Sequence, residues 1–133
     1  MKRAIIPLLL FIILTSSSRI YRPSHPPPLA HSGCEVPLCI LWGVAKVESD
    51  YNRWAVSADG QDMGMFQLRA KYYKGIDPFD VVCAEEEAQS TLMRDYRVLG
   101  SWPRALTAYH CGINFAKRTK WVDKEYVKRV LTK

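Results

Sequence analysis

Long apolar runs, metal-binding cysteine patterns and repeats are all scarce in this sequence, and each scarcity removes a class of protein. The longest apolar stretch, Ala4 to Thr15, has twelve residues with Pro7 inside it, short of the roughly 20 that a membrane-spanning helix needs. There are four cysteines, Cys34, Cys39, Cys83 and Cys111, whose spacing matches no compact zinc ribbon and has no nearby His to complete one, so no metal is expected. No internal repeat is present, and low complexity is confined to a proline-rich stretch near the N-terminus. No nucleic-acid-binding motif is recognisable.

What remains is the composition of one packed domain. The 133 residues are 48% hydrophobic and 11% aromatic, enough apolar surface to offset ordering entropy, so disorder is expected only toward the ends. The net charge of +6 is unevenly divided: residues 1–37 carry +3, residues 38–116 carry −2 and residues 117–133 carry +5. The middle of the chain, where a site would be built, is therefore mildly acidic.

Met1-Lys2-Arg3, the apolar stretch and Ser16-Ser17-Ser18 form the three regions of a secretory signal peptide over residues 1–18, with an uncleaved N-terminal anchor as the lesser alternative. Export, to the periplasm or as a secreted protein, argues against nucleic acid as a partner. It also makes disulfides the first reading of the cysteines, with three pairings open and buried free thiols as the alternative. Residues 19–37 hold five of the eight prolines and read as an extended linker. The folded domain is assigned to residues 38–133.

Within that domain, Leu41, Val44 and Ala45 recur at helical spacing and predict a helix from Leu38 to Asp50, with Pro37 where a first-turn proline is tolerated. Residues 51–68 read as an irregular loop with a short hairpin. Three more helices are predicted: one after Asp77-Pro78 running through Ala84, Ala88, Leu92, Tyr96 and Leu99, one from Trp102 to Cys111, and one from Asp123 to Leu131. Gly100 and Gly112 are the expected stops. In the first helix the face through Leu41, Val44 and Ala45 continues to Glu48, which puts a carboxylate on a stripe that otherwise points into the core. Burial disfavours the charged carboxylate and raises its pKa, which suits a general acid. The alternative is a solvated residue at a helix end, paired with Lys46 or Arg53.

The residues that follow Glu48 favour the acid. Glu48-Ser49, then Asn52 to Ser57, then Gly60-Gln61-Asp62-Met63-Gly64-Met65-Phe66-Gln67, followed by Asp77-Pro78-Phe79 and Ala108-Tyr109-His110-Cys111-Gly112, resemble in order the motifs of the lysozyme-like lytic transglycosylases. The Gly-x-Asp-x-Gly-x-x-Gln form is similar to that of the secretion-system-associated members. The resemblance implies a mainly α, lysozyme-like domain in which a small loop or hairpin region flanks a glycan cleft. It implies cleavage of the β-1,4 bond between N-acetylmuramic acid and N-acetylglucosamine in peptidoglycan, with Glu48 as acid and then base and no cofactor. Asp62 is the candidate second carboxylate for a hydrolase outcome, or else a turn residue. Ser57, Gln67 and Tyr109 occupy family positions at the sugar cleft, Tyr109 being placed to orient Glu48 or substrate. Gly64, Met65 and His110 are further candidates for substrate contact, each with a plainer structural alternative.

The chain departs from the family pattern at His110 and Cys111, where Asn and Ala are usual, and at Arg53-Trp54, where Pro is common. The secretion-associated relatives imply a Cys34–Cys83 disulfide, leaving Cys39 with Cys111. Expected partners are peptidoglycan strands and an envelope-spanning secretion, pilus or conjugation assembly. Lys117, Arg118, Lys120, Lys124, Lys128, Arg129 and Lys133, around Trp121 and Tyr126, also suggest peripheral contact with an anionic envelope surface. A non-catalytic glycan-binding domain on the same scaffold is the competing class, and it would not depend on Glu48.

Overall fold

The computed structural model describes residues 36–132; the expected signal peptide, the expected linker up to Glu35, and Cys34 lie outside the described residues. Five helices and one two-stranded sheet make up this region: α1 Leu38–Ser49, β1 Asp62–Met63, β2 Leu68–Arg69, α2 Val81–Leu99, α3 Trp102–Cys111, α4 Ile113–Arg118 and α5 Lys124–Leu131. None of the helices is long and apolar enough to cross a membrane.

Helix α1 is the central post. Ile40, Leu41, Val44 and Ala45 are buried on its core side and pack with Phe66, Leu68, Ala88, Leu92, Leu106 and Val130. Helix α5 crosses α1 at Gly43, where a Cβ would lie 2.1 Å from the Val130 carbonyl oxygen, so only glycine permits this approach. Pro37 occupies the N-cap position, one residue earlier than a first-turn proline. At the other end Asp50 and Tyr51 both take left-handed backbone conformations. The chain thus turns off the helix axis within two residues of Glu48.

The hairpin is shorter than the loop that carries it. Asp62 faces Arg69 and Met63 faces Leu68 across the antiparallel pair, and the Ser49 hydroxyl donates to the Met65 carbonyl at 2.7 Å, tying the hairpin loop to the end of α1. Gly64 has φ +78°, and a Cβ there would lie 1.8 Å from the Pro78 carbonyl oxygen. The hairpin and the Asp77-Pro78 connector therefore close on each other at the one residue without a side chain.

Helix α2 starts at Val81, later than the Asp77-Pro78 signal suggests. Asp77 first folds its own turn, accepting from the Phe79 N–H at 2.9 Å. Asp80 then caps the helix by accepting from the Val82 and Cys83 N–H groups, so two aspartates divide work that the sequence suggested for one. Gly100 ends α2 and Gly112 ends α3, as expected, and Tyr96 stacks on Trp102 across the α2–α3 turn with ring centroids 4.4 Å apart. Helix α4 has no counterpart in the sequence reading. Its six residues follow Gly112 without a side-chain cap, too few to display a helical period. Arg104 helps hold it, with Nη2 donating to the Ala116 and Thr119 carbonyls at 2.8 and 3.3 Å.

Cys39, Cys83 and Cys111 are exposed free thiols in the structure, so the Cys39–Cys111 pairing is not made there, while the Cys34–Cys83 pairing lies outside the described residues with Cys34. Cys83 lies in the first turn of α2 beside its Asp80 cap, and Cys111 at the end of α3 lies against His110. Tyr126 is also placed differently from the basic-surface reading: it is buried, with 3% of its surface exposed. The aromatic pair among those basic residues is Phe115 with Trp121, edge to face at 5.8 Å.

Candidate active site

Glu48 lies where the buried stripe of α1 runs out from the core into a cleft. The cleft has a volume of about 930 Å³ and is walled by Gln67 to Arg69 and Tyr72-Tyr73 on the hairpin side, by Thr91, Arg94 and Asp95 of α2, and by Ala108 to Phe115 of α3 and α4. Glu48 is half-buried. Burial is the main influence on its carboxyl and pushes the pKa up, against a Tyr126 hydrogen bond that draws it down. The Tyr126 hydroxyl donates to Glu48 Oε1 at 2.5 Å. This is the environment the sequence predicted for the residue, a carboxyl driven toward its neutral form and held by a donor.

The donor itself was not foreseen. The sequence reading gave Tyr109 the task of orienting Glu48, yet the Tyr109 hydroxyl donates to the Phe66 carbonyl at 2.8 Å. Tyr109 still lines the cleft near Glu48, and burial together with that carboxyl raises its pKa well above the ordinary tyrosine value. Tyr126 is raised in the same way and for the same reasons, so both phenols keep their protons and serve as donors. A signal for Tyr126 was available. It shares a buried face of α5 with Val127 and Val130, and a buried tyrosine hydroxyl requires a polar partner, just as a buried glutamate requires a donor.

Tyr126 is fixed by what surrounds it. The His110 ring lies on its face at a centroid distance of 4.4 Å and an interplanar angle of 7°. His110 Nδ1 pairs with Asp123 Oδ2 at 2.9 Å. Asp123 Oδ1 accepts from the Tyr126 N–H at 3.0 Å and caps α5; that bond and His110 hold the Asp123 carboxyl below its usual range. His110 thus lines the cleft with a stacked and hydrogen-bonded ring that the sequence could not specify.

Asp62 also lines the cleft, and its two oxygens accept from Arg69 Nε and Nη2 at 2.8 and 2.9 Å. The pair spans the hairpin register, and it holds the Arg69 proton more firmly than usual. Gln67 has φ +49°, an uncommon conformation for a residue with a side chain. Its Nε2 donates to the Gly64 and Ala55 carbonyls at 3.0 and 3.3 Å, and the residue faces the cleft.

Three candidates fall outside the cleft lining. The Ser57 hydroxyl donates to Asp59 Oδ1 at 2.6 Å and accepts from the Asp62 N–H at 3.0 Å, so it builds the turn that leads into β1. Met65 is a core residue at 2% exposure, and Gly64 serves the close approach to Pro78. The α2 wall adds residues the sequence reading did not name: Thr91, whose hydroxyl meets the Tyr73 hydroxyl at 3.2 Å, and Arg94, paired with the buried Asp95.

A helical domain whose central helix brings one half-buried acid to the base of a long polar groove has the lysozyme-like architecture of glycan-cleaving proteins. The family model of the Transglycosylase SLT domain matches residues 30–131, and the chain belongs to that family. Its members are lytic transglycosylases that act on peptidoglycan. Among curated proteins, no relative matches the chain.

Proposed function

We propose that the protein is a peptidoglycan lytic transglycosylase in which Glu48 is the sole catalytic carboxyl. Protonated Glu48 donates to the glycosidic oxygen as the bond to the muramic acid anomeric carbon breaks and positive charge develops on that sugar. The resulting carboxylate takes the proton of the same sugar's 6-hydroxyl as its oxygen bonds to the anomeric carbon. The product ends in a 1,6-anhydro ring, no water is consumed, and Glu48 regains its starting state. One group acting in turn as acid and base suffices for this sequence. Hydrolysis by the usual glycosidase route needs a second, available carboxylate.

The observation that carries the reading is the unequal state of Glu48 and Asp62, two of the four acids that line the cleft, the others being Glu87 and the Arg94-paired Asp95. Glu48 is driven toward its neutral form and held by Tyr126, while both oxygens of Asp62 are committed to Arg69. A carboxylate so engaged is poorly placed to activate water. The sequence features of residues 1–18 and the family's polymer substrate fit an exported enzyme acting in the periplasm or outside the cell, and the similarity of the Gly60–Gln67 motif to that of the secretion-associated members supports service to an envelope-spanning secretion, pilus or conjugation assembly.

Mass analysis of fragments released from purified peptidoglycan tests the mechanism. The expected fragments lack the water present in lysozyme products, and Glu48→Gln releases none. Fragments that carry the water would replace the lyase reading with hydrolysis. No release by the parent protein would leave a glycan-binding domain.

A further inference from the structure

The mechanism above uses neither Cys111 nor the outward side of the His110–Asp123 pair, and these groups converge. His110 Nδ1, Cys111 Sγ and an Asp123 carboxylate oxygen all lie within 4.8 Å of one another, with Nδ1 2.9 Å from Asp123 Oδ2 and 3.9 Å from Cys111 Sγ. We propose that His110, Cys111 and Asp123 bind one zinc-type divalent cation at the rim of the cleft.

Geometry supports the assignment. Tetrahedral zinc holds nitrogen and oxygen ligands at about 2.0–2.2 Å and sulfur at about 2.3 Å, which separates neighbouring donors by roughly 3.3–3.7 Å. The His110–Asp123 contact must open by a few tenths of an ångström, the His110–Cys111 contact must close by a similar amount, and the Cys111–Asp123 separation, within 4.8 Å, must close by up to about an ångström. These changes are within reach of side-chain rotation, because His110 and Cys111 are exposed and end a helix. Donor chemistry selects the class of metal. An imidazole, a thiolate and a carboxylate suit zinc and its neighbours in the transition series, whereas calcium and magnesium take oxygen ligands.

The groups are also held ready. The His110 ring is oriented by its stack on Tyr126, and Asp123 Oδ1 is occupied by the helix-capping bond from the Tyr126 N–H while Oδ2 faces His110. Supporting contacts of this kind are what fix metal ligands in position. Three protein ligands leave a fourth position open. His110 and Cys111 both line the cleft, so that position faces solvent and any occupant of the groove. The ion would be one ring away from the hydroxyl that holds Glu48.

Full-length protein, reduced and then freed of reductant, is titrated with Zn2+ against a chromophoric chelator and separately with Co2+. The expected result is one zinc per chain and a thiolate-to-cobalt charge-transfer band. Cys111→Ser should abolish the band, and Cys111→Ser and Asp123→Asn should each weaken zinc binding at least tenfold. Asp123→Asn retains a capping oxygen, and Cys111→Ser changes an exposed side chain, so circular dichroism should report an intact fold in both. Cys39→Ser, on the far end of the fold's central helix, should bind like the parent. Zinc binding unaltered by Cys111→Ser, a cobalt complex without the thiolate band, or a Cys111 blocked to thiol reagents before reduction in protein taken from its exported location would overturn the proposal.

Discussion

Removing one oxygen atom tests the arrangement around Glu48. Tyr126→Phe keeps the buried ring and its stack on His110 but deletes the hydroxyl 2.5 Å from Glu48 Oε1. A hydrogen bond to an ionisable group contributes roughly 1.5–3 kcal/mol, and about 1.4 kcal/mol is a tenfold change in rate. If the bond fixes the acid in its reactive pose, kcat for glycan cleavage falls by about ten- to a hundredfold, while KM, set by the cleft walls, changes little. The pH profile adds a sign. The hydroxyl opposes the effect of burial on Glu48, so its loss drives the Glu48 pKa further up. Because the acid must carry its proton to donate it, the limb of activity that falls as pH rises should move to higher pH in the variant. Thermal unfolding guards against a trivial explanation, since a folded variant with its ring still packed should melt within about 10 °C of the parent. An unchanged kcat together with an unmoved pH limb would refute the reasoning, for Glu48 would then neither need nor sense the hydroxyl.

Gly64→Ala should be severely destabilising, by roughly 2–5 kcal/mol, because a left-handed backbone strains an L-residue and the new methyl meets backbone that must move; the 1.8 Å approach to Pro78 is the reason, and a denaturant midpoint equal to the parent's would contradict it. Glu48→Gln should stabilise the fold in a pH-dependent way. The Glu48 pKa is raised above its ordinary value of 4.5, so the stability it contributes is fully present below that value and is lost as pH rises through the folded-state pKa. The melting-temperature gain of the glutamine variant should therefore be larger at pH 8 than at pH 4, and a gain independent of pH would be evidence against a perturbed carboxyl. Arg104→Ala removes the donors to Ala116 and Thr119 and should speed amide exchange across α4 well beyond that of α2; equal protection in the two proteins would mean that the guanidinium does not hold the helix.

The sequence was most informative where one signal had one interpreter. The Trp102 and Cys111 bounds of α3 and the glycine stops at 100 and 112 are local, set by residues next to one another, and they were legible. Glu48 was legible because a charge on an apolar stripe is an inconsistency visible within a single helix. Tyr126 was missed because its meaning depends on a partner 78 positions away, and its basic neighbours suggested a surface. Ser57 and Met65 were assigned to the cleft from their place in a motif. In the folded chain they serve it indirectly, one shaping the turn before β1 and the other filling the core behind the hairpin. Helix α4 escaped notice because six residues are too few to display a helical period, and it is held by Arg104 together with Ala116 packing on Leu99 and Ala108.

The bond between Tyr126 and Glu48 also sets an order in time. A ribosome supplies the acid early and its donor late, within the last ten residues of the described chain, so helix α1 can form with Glu48 in place long before the group that holds it exists. The proposed acid is held only when helix α5 docks at Gly43. A chain cut before α5 would keep the cleft walls of the hairpin, α2 and α3 and lose the hydroxyl that holds Glu48.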